Sequence, residues 1–137
     1  MAIYQESTRD AATPGLRALV ISSSSPDGRQ EKEHLKSQGV TVIEATNGAL
    51  ALELSLCHEF DVILMDLTTL NGTAEETIRQ LKGAAPFTPV ILLDGSKPLN
   101  GLDQHVFTHL PRPVAEAALL HTVRNAAAHR QRLLENR

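Results

Sequence analysis

Asp66 ends an apolar run in the stretch "DVILMDLTTLNG", residues 61–72, and a polar loop with a glycine follows it. A carboxylate placed where a buried segment reaches the surface can act as a nucleophile or a metal ligand, or it can simply cap the segment. Asp94 ends a second apolar run, "PVILLD", and Arg112 follows a third, "HVFTHL". With the serines of "ISSSSP", these residues are the main candidates for chemistry.

Five apolar runs recur at fairly even intervals and alternate with helical patterns. They are "RALVIS", "VTVIEA", "DVILMD", "PVILLD" and the weaker "HVFTHL", at residues 17–22, 40–45, 61–66, 89–94 and 105–110. Runs rich in Val, Ile and Leu are typical of strands buried on both faces. The pattern therefore predicts an α/β fold with a five-stranded parallel sheet and helices on both faces. In such a sheet ligands bind at the carboxyl ends of the strands, where Asp66 falls.

The helical stretches differ in quality. The first, "PDGRQEKEHLKSQG", is nearly all polar with Leu35 as its main apolar anchor, so we expect it to be loosely packed or partly frayed. Thr46 and Asn47 are placed to cap the second helix, Thr73 is placed to cap the third, and Gly83 is placed to end the third. Residues 95–104 contain proline and glycine and leave room for only a short helix.

The last helical stretch can open at Pro113 and runs to the chain end. Leu119, Val123 and Ala126 would cover the sheet, and the charged sequence beyond Ala128 suggests a helix that projects past the domain. We therefore expect a flexible extension at residues 1–15, one domain at residues 16–129 and a helical linker at residues 130–137. A longer parent protein is the expectation for such a linker.

Composition limits the classes of function. The 137 residues are 42% hydrophobic and 21% charged, as in a soluble globular protein. A net charge of −3 and 3% aromatic residues argue against nucleic-acid binding. A single cysteine, Cys57, excludes an internal disulfide and suits a reducing cytoplasm. No apolar run approaches the roughly 20 residues of a membrane span.

The middle of the chain, "TVIEATNGALALELSLCHEFDVILMDLTTLNGTAEETIRQLK", together with "HLPRPV", resembles the receiver domains of response regulators (CheY-like, flavodoxin-like fold). The resemblance covers roughly Leu16 to His129. It implies a part in bacterial two-component phosphorelay signalling, in the cytoplasm. The partners implied are a histidine kinase or a downstream output domain, and no enzymatic activity is implied.

Three residues match the receiver pattern. Asp66 stands at the position of the phosphoryl acceptor, and Thr68 at the position whose backbone carbonyl reaches the metal. Pro113 resembles the cis proline of the family.

Four positions depart from the receiver pattern. Ser22 and Ser23 stand where the family has the acid pair that holds Mg²⁺, Asp94 stands at the switch hydroxyl, and Arg112 stands at the lysine. A unit charge pair at about 4 Å is worth about 4 kcal/mol at an effective dielectric near 20, so the loss of an acid weakens a Mg²⁺ site greatly. We therefore predict a degenerate acceptor site with no cofactor and only weak Mg²⁺ binding.

Arginine is a fixed cation with a planar fork of donors. Arg112 is accordingly expected to bridge Asp66 and Asp94 in place of the metal site. The predicted function is then a receiver that acts mainly through protein contacts.

The surface for these contacts is predicted on the side of the last two strands and the last helix. It comprises Phe107, Leu110, Val114 and Ala118, and a homodimer through the last helix is one form that the contact can take.

Two alternatives remain open from the sequence. One is a conventional phosphoaspartate switch that accepts phosphate on Asp66 from a histidine kinase. The other, from a different class, is a small anion- or nucleotide-binding module that uses the serines at 22–25 and the first helix's N-terminus.

Overall fold

Five strands alternate with helices along the part of the chain that the computed structural model describes, residues 15–22, 26–67, 74–93 and 105–136. The elements run in the order β1 (Arg17–Ile21), α1 (Pro26–Ser37), β2 (Thr41–Ala45), α2 (Gly48–Cys57), β3 (Val62–Asp66), α3 (Ala74–Ala84), β4 (Val90–Leu93), β5 (Thr108–Leu110) and α4 (Glu116–Glu135). Each strand lies within one of the five predicted apolar runs.

The strands form one parallel sheet in the order β2-β1-β3-β4-β5. All five residues of the central strand β3 are buried. Because the strands are parallel, their carboxyl ends meet at one edge, and the register places Asp66 beside Leu93 of β4 there. The predicted α/β class and sheet are thus confirmed.

Alternate residues of the strands feed two separate cores. On one face, Leu19 and Ile21 pack in a cluster with residues of α2 and α3. On the other face, Ala18 and Val20 pack in a cluster with residues of α1 and α4. The two-residue period of a strand produces this division, and it explains why the runs are apolar at consecutive positions.

Helix α1 has Leu35 as its buried apolar anchor, as the sequence predicts. It runs without interruption for 12 residues, and Gly28 and Leu35 are buried. Gly39 then adopts a left-handed φ of 92°, which lets the chain turn so that the Val40 N–H donates to the Leu35 carbonyl at 3.0 Å. The loose packing expected of this helix stays a prediction.

Helices α2 and α3 pack against each other at their starts. Asn47 caps α2 as predicted, because its side chain accepts a hydrogen bond from Leu50 N–H at 2.8 Å. A Cβ atom on Gly48 would lie 2.6 Å from Thr77 Oγ1, so the two helices approach closely there. Helix α3 ends at Ala84, one residue beyond the predicted stop. Thr73 and residues 95–104 lie outside the described residues.

Helix α4 begins at Glu116, three residues after the predicted opening, and covers the sheet with Leu119, Val123 and Ala126, which are buried as predicted. Its later part still contacts the domain. Arg130 Nη2 lies 3.1 Å from a carboxylate oxygen of Glu59, so the predicted linker begins with a residue that is held by the domain. Among the described residues, no helix has both the length and the apolar character needed to cross a bilayer.

Candidate carboxyl-edge site

An ion pair lies at the carboxyl edge of the sheet. Asp66 ends the central strand, and its side chain is fully buried. Arg112 follows β5, and its Nη1 donates to Asp66 Oδ2 at 2.9 Å. The Arg112–Pro113 peptide bond is cis. Two of the residues singled out in the sequence, Asp66 and Arg112, are thus in direct contact.

A third residue, Glu31 of α1, completes this cluster. Arg112 Nε donates to Glu31 Oε2 at 3.0 Å, and Arg112 Nη2 donates to Glu31 Oε1 at 2.9 Å. The pairing is the bidentate arrangement that matches a guanidinium to a carboxylate. We call Asp66, Arg112 and Glu31 the carboxyl-edge cluster.

Glu31 was missed at the sequence level, although the helix carries a signal for it. Gly28, Glu31 and Leu35 are spaced three and four residues apart, so they lie on one face of α1. Two of these three are buried, and the third therefore also points inward. An acid one turn before the sole leucine of a polar helix indicates a buried cationic partner, but its identity depends on a contact 81 residues away in sequence.

The electrostatics of the cluster are dominated by Arg112, whose side chain is only 9% exposed. The hydrogen bonds to Glu31, and then the one to Asp66, hold the pKa of the guanidinium above its ordinary value, against the opposing effect of burial. Three of the five guanidinium N–H donors are used by the two carboxylates. The cation is therefore permanent, and two negative groups surround it.

The structure describes only some of the other residues predicted at this site. Ser22 lies just beyond β1, where its N–H donates to the Ala45 carbonyl at 3.1 Å. Its Oγ is buried and has no hydrogen-bond partner among the described residues. Ser23, Thr68 and Asp94 lie outside the described residues, so the predicted contact between Arg112 and Asp94 stays a prediction.

The described residues at this edge do not fit a magnesium ion of the receiver type. Mg²⁺ prefers charged oxygen ligands in octahedral geometry. Here Asp66 already faces a fixed cation at 2.9 Å, and Ser22 offers only an uncharged hydroxyl. In the described part of the chain, no group of three His, Cys, Asp or Glu side chains could hold a metal ion.

The four residues of the predicted contact surface divide into two pairs. Phe107 and Ala118 are exposed, and the Phe107 ring lies 5.4 Å from the ring of His129. Leu110 and Val114 are half-buried and pack against the core on the α1 and α4 face. The second pair therefore serves the core more than the surface.

No family model matches the chain, but its sequence is similar to response regulators. It is 24% identical over 128 residues to the cell cycle transcriptional regulator CtrA of Caulobacter vibrioides, with 88% of this chain and 55% of that protein covered. It is 26% identical over 113 residues to the probable transcriptional regulatory protein SilR of Salmonella typhimurium, with 80% of this chain and 50% of that protein covered.

Solved structures of receiver domains share the fold. A response regulator receiver domain protein from Clostridium thermocellum has a TM-score of 0.72 at 25% identity and covers 87% of this chain and 98% of its own. The signal receiver domain of an HD domain-containing protein from Pseudomonas fluorescens has a TM-score of 0.74 at 20% identity and covers 85% of this chain and 98% of its own.

The chain thus has the fold of solved receiver domains, and its sequence is similar to response regulators. More particularly, its sequence is similar to CtrA and SilR, and the chain spans about half the length of these curated relatives.

Proposed function

We propose that this receiver domain signals through protein contacts and that the carboxyl-edge cluster replaces a metal-dependent acceptor site. The observation that carries the proposal is the 2.9 Å contact between Arg112 Nη1 and Asp66 Oδ2, on a carboxylate with no exposed surface. In this reading the chain is not an enzyme, and it works in the cytoplasm beside a histidine kinase or an output domain.

The cluster opposes phosphoryl transfer for two reasons. A carboxylate nucleophile must approach phosphorus in line, and the buried Asp66 is already hydrogen-bonded to a guanidinium. A phosphoryl group at this edge would also add negative charge near Glu31, which already shares the same cation. Both effects favour the unphosphorylated Asp66, paired with Arg112, over a phosphorylated form.

A phosphodonor experiment tests this proposal. The protein is incubated with acetyl phosphate and Mg²⁺, and its intact mass is measured beside an established receiver domain treated in the same way. We expect an adduct on the established receiver and none on this chain. A stoichiometric adduct that disappears in Asp66→Asn would contradict the proposal and support the conventional phosphoaspartate switch.

The contact partner that we propose is a second copy of the chain, joined through α4. Two large apolar side chains, Phe107 and Leu133, are each 36% exposed. Both line one shallow cavity of about 280 Å³, with His129 between them on α4. Burial of adjacent exposed apolar groups is the main driving force for association.

A further inference from the structure

A polar groove lies between α1 and the carboxyl end of β2, with a volume of about 350 Å³. Its walls carry basic, acidic and hydroxyl side chains, namely Arg29, Lys32, Lys36, Glu33, Glu44, Ser22 and Thr46. Neither Asp66 nor Arg112 lines it, so the groove is separate from the carboxyl-edge cluster.

The three basic residues come from one face of α1. Arg29, Lys32 and Lys36 are spaced three and four residues apart, which places them in a row along the helix. Their positive charge is only partly balanced, because Lys32 and Lys36 share one carboxylate, Glu44, at 2.9 and 3.7 Å. Arg29 is exposed and has no ion-pair partner in the described part of the chain.

The two lysines change the pKa of Glu44. The hydrogen bond from Lys32 lowers the pKa of Glu44, with a smaller contribution from Lys36 and against the effect of burial. The Glu44 side chain is 48% exposed, and an ion pair with such exposure is weak. A dianion can therefore displace Glu44 from the two lysines. Glu33 is the other acid of the groove, and no ion pair among the described residues includes it.

An independent observation comes from Ser22. This residue is 5% exposed, and its Oγ lacks a hydrogen-bond partner among the described residues. Buried hydroxyls are almost always hydrogen-bonded, and one left without a partner is costly. Because Ser22 lines the groove, a rotation of its side chain would let the hydroxyl donate to a ligand oxygen there and remove that cost.

We propose that this groove binds a phosphate group, either free or carried by a small molecule. Arg29 supplies a guanidinium that can bind two phosphate oxygens at once, and Lys32 adds a point charge. The hydroxyls of Ser22 and Thr46 complete the set of donors. The site does not depend on phosphorylation of Asp66, so it can exist whether or not the contact function proposed above holds.

Titration of the whole chain with inorganic phosphate at constant ionic strength tests the proposal. Calorimetry should show saturable binding at one site, and NMR should place the amide shifts at Arg29, Lys32 and Thr46. Arg29→Ala should weaken binding about tenfold, as expected for the loss of a charge-assisted bidentate contact. Arg124→Ala, which removes another exposed arginine, is the matched control and should leave binding unchanged.

Two further variants test the roles of individual groups. Glu44→Gln should tighten phosphate binding about fivefold, because the carboxylate no longer competes for the lysines. Ser22→Ala should weaken binding severalfold while the thermal unfolding midpoint stays the same or rises. If Ser22→Ala does not fold, Arg29→Ala and Glu44→Gln still decide the question, since both change exposed side chains.

Three outcomes would overturn the proposal: absence of saturation, equal weakening by Arg29→Ala and Arg124→Ala, which would indicate a general counter-ion effect, or weaker binding by Glu44→Gln. A comparison of inorganic phosphate with glycerol phosphate then identifies the source of the ligand. Tighter binding of the ester indicates a phosphate carried by a larger molecule, and equal binding indicates free phosphate; both results support the site.

Discussion

Arg112 and Asp66 form an ion pair in which the carboxylate is fully buried and the guanidinium is 9% exposed. The same guanidinium holds Glu31 with two hydrogen bonds. Removal of one member of a buried ion pair usually costs about 3–5 kcal/mol, since the remaining charge has no partner. Arg112 is therefore expected to contribute to the stability of the fold as well as to hold Asp66.

Replacement of this arginine tests its structural role. Arg112→Ala should lower the free energy of unfolding by about 3–5 kcal/mol, because two carboxylates then lose their cation. Urea unfolding followed by circular dichroism measures the change. Arg124→Ala, on the exposed face of α4, should change stability by less than about 0.5 kcal/mol. Equal midpoints for Arg112→Ala and the parent protein would show that the cluster contributes nothing to stability.

Two glycines provide a matched test of helix packing. Gly48→Ala should destabilise the fold by about 1–3 kcal/mol, because the new Cβ would lie 2.6 Å from Thr77 Oγ1 in a buried contact. Gly83→Ala should be neutral or should stabilise α3 by up to about 1 kcal/mol, since no atom lies within 4 Å of its Cβ position. Thermal unfolding of both variants gives the answer, and the same sign of change in both would disprove the close approach of α2 and α3.

We expect the stability of the fold to depend on pH through Lys82. Burial lowers its pKa from the ordinary value of 10.5, and its Nζ donates to the Thr88 carbonyl at 2.9 Å. Between the lowered value and 10.5 the unfolded chain binds more protons, so the contribution of Lys82 to stability rises with pH. Below the lowered value the cost of the buried charge is fully present.

Unfolding of Lys82→Met beside the parent protein, from neutral pH to about pH 10, measures this effect. As the pH rises, the free energy of unfolding of the variant should fall relative to that of the parent protein. Arg124→Ala should show a constant difference, because arginine does not titrate in this range. A difference for Lys82→Met that is constant with pH would argue against burial as the cause.

Self-association is predicted to depend on α4. Leu133→Ser removes an apolar side chain that lines the same cavity as Phe107, and it should lower the dimer fraction in sedimentation velocity experiments over a range of concentrations. Leu56→Ser is the matched control, because Leu56 is 68% exposed on α2, which packs on the opposite face of the sheet. Equal loss of dimer in both variants, or a monomer at all concentrations, would contradict a dimer through α4.

The sheet was predictable from the sequence because its strands are apolar at consecutive positions. Residues 62–66, for example, need a partner strand on each side and a helix on each face, and only a buried parallel sheet supplies these. The contact of Arg112 with Asp66 was predictable for a similar reason, since both residues follow strands whose carboxyl ends share one edge.

The role of Glu31 could not be predicted in the same way. Its partner lies 81 residues away in sequence, and no local pattern specifies which cation an inward-facing acid will meet. The ion pairs that join α1 to other parts of the fold could likewise not be predicted from its polar sequence. Lys32 pairs with Glu44 of β2, and Glu31 pairs with Arg112 after β5.

These two ion pairs start from neighbouring positions on α1, which point about 100° apart around the helix axis. Because α1 has a single leucine, it lacks the wide apolar stripe that would normally fix its rotation about its own axis against the sheet. Here the rotation of the helix is fixed by its ion pairs, because Glu31 pairs with Arg112 on one side of the helix and Lys32 pairs with Glu44 on the other. Exchange of Glu31 and Lys32 would keep the composition, net charge and helix propensity. In the exchanged helix, however, no rotation would allow both ion pairs to form.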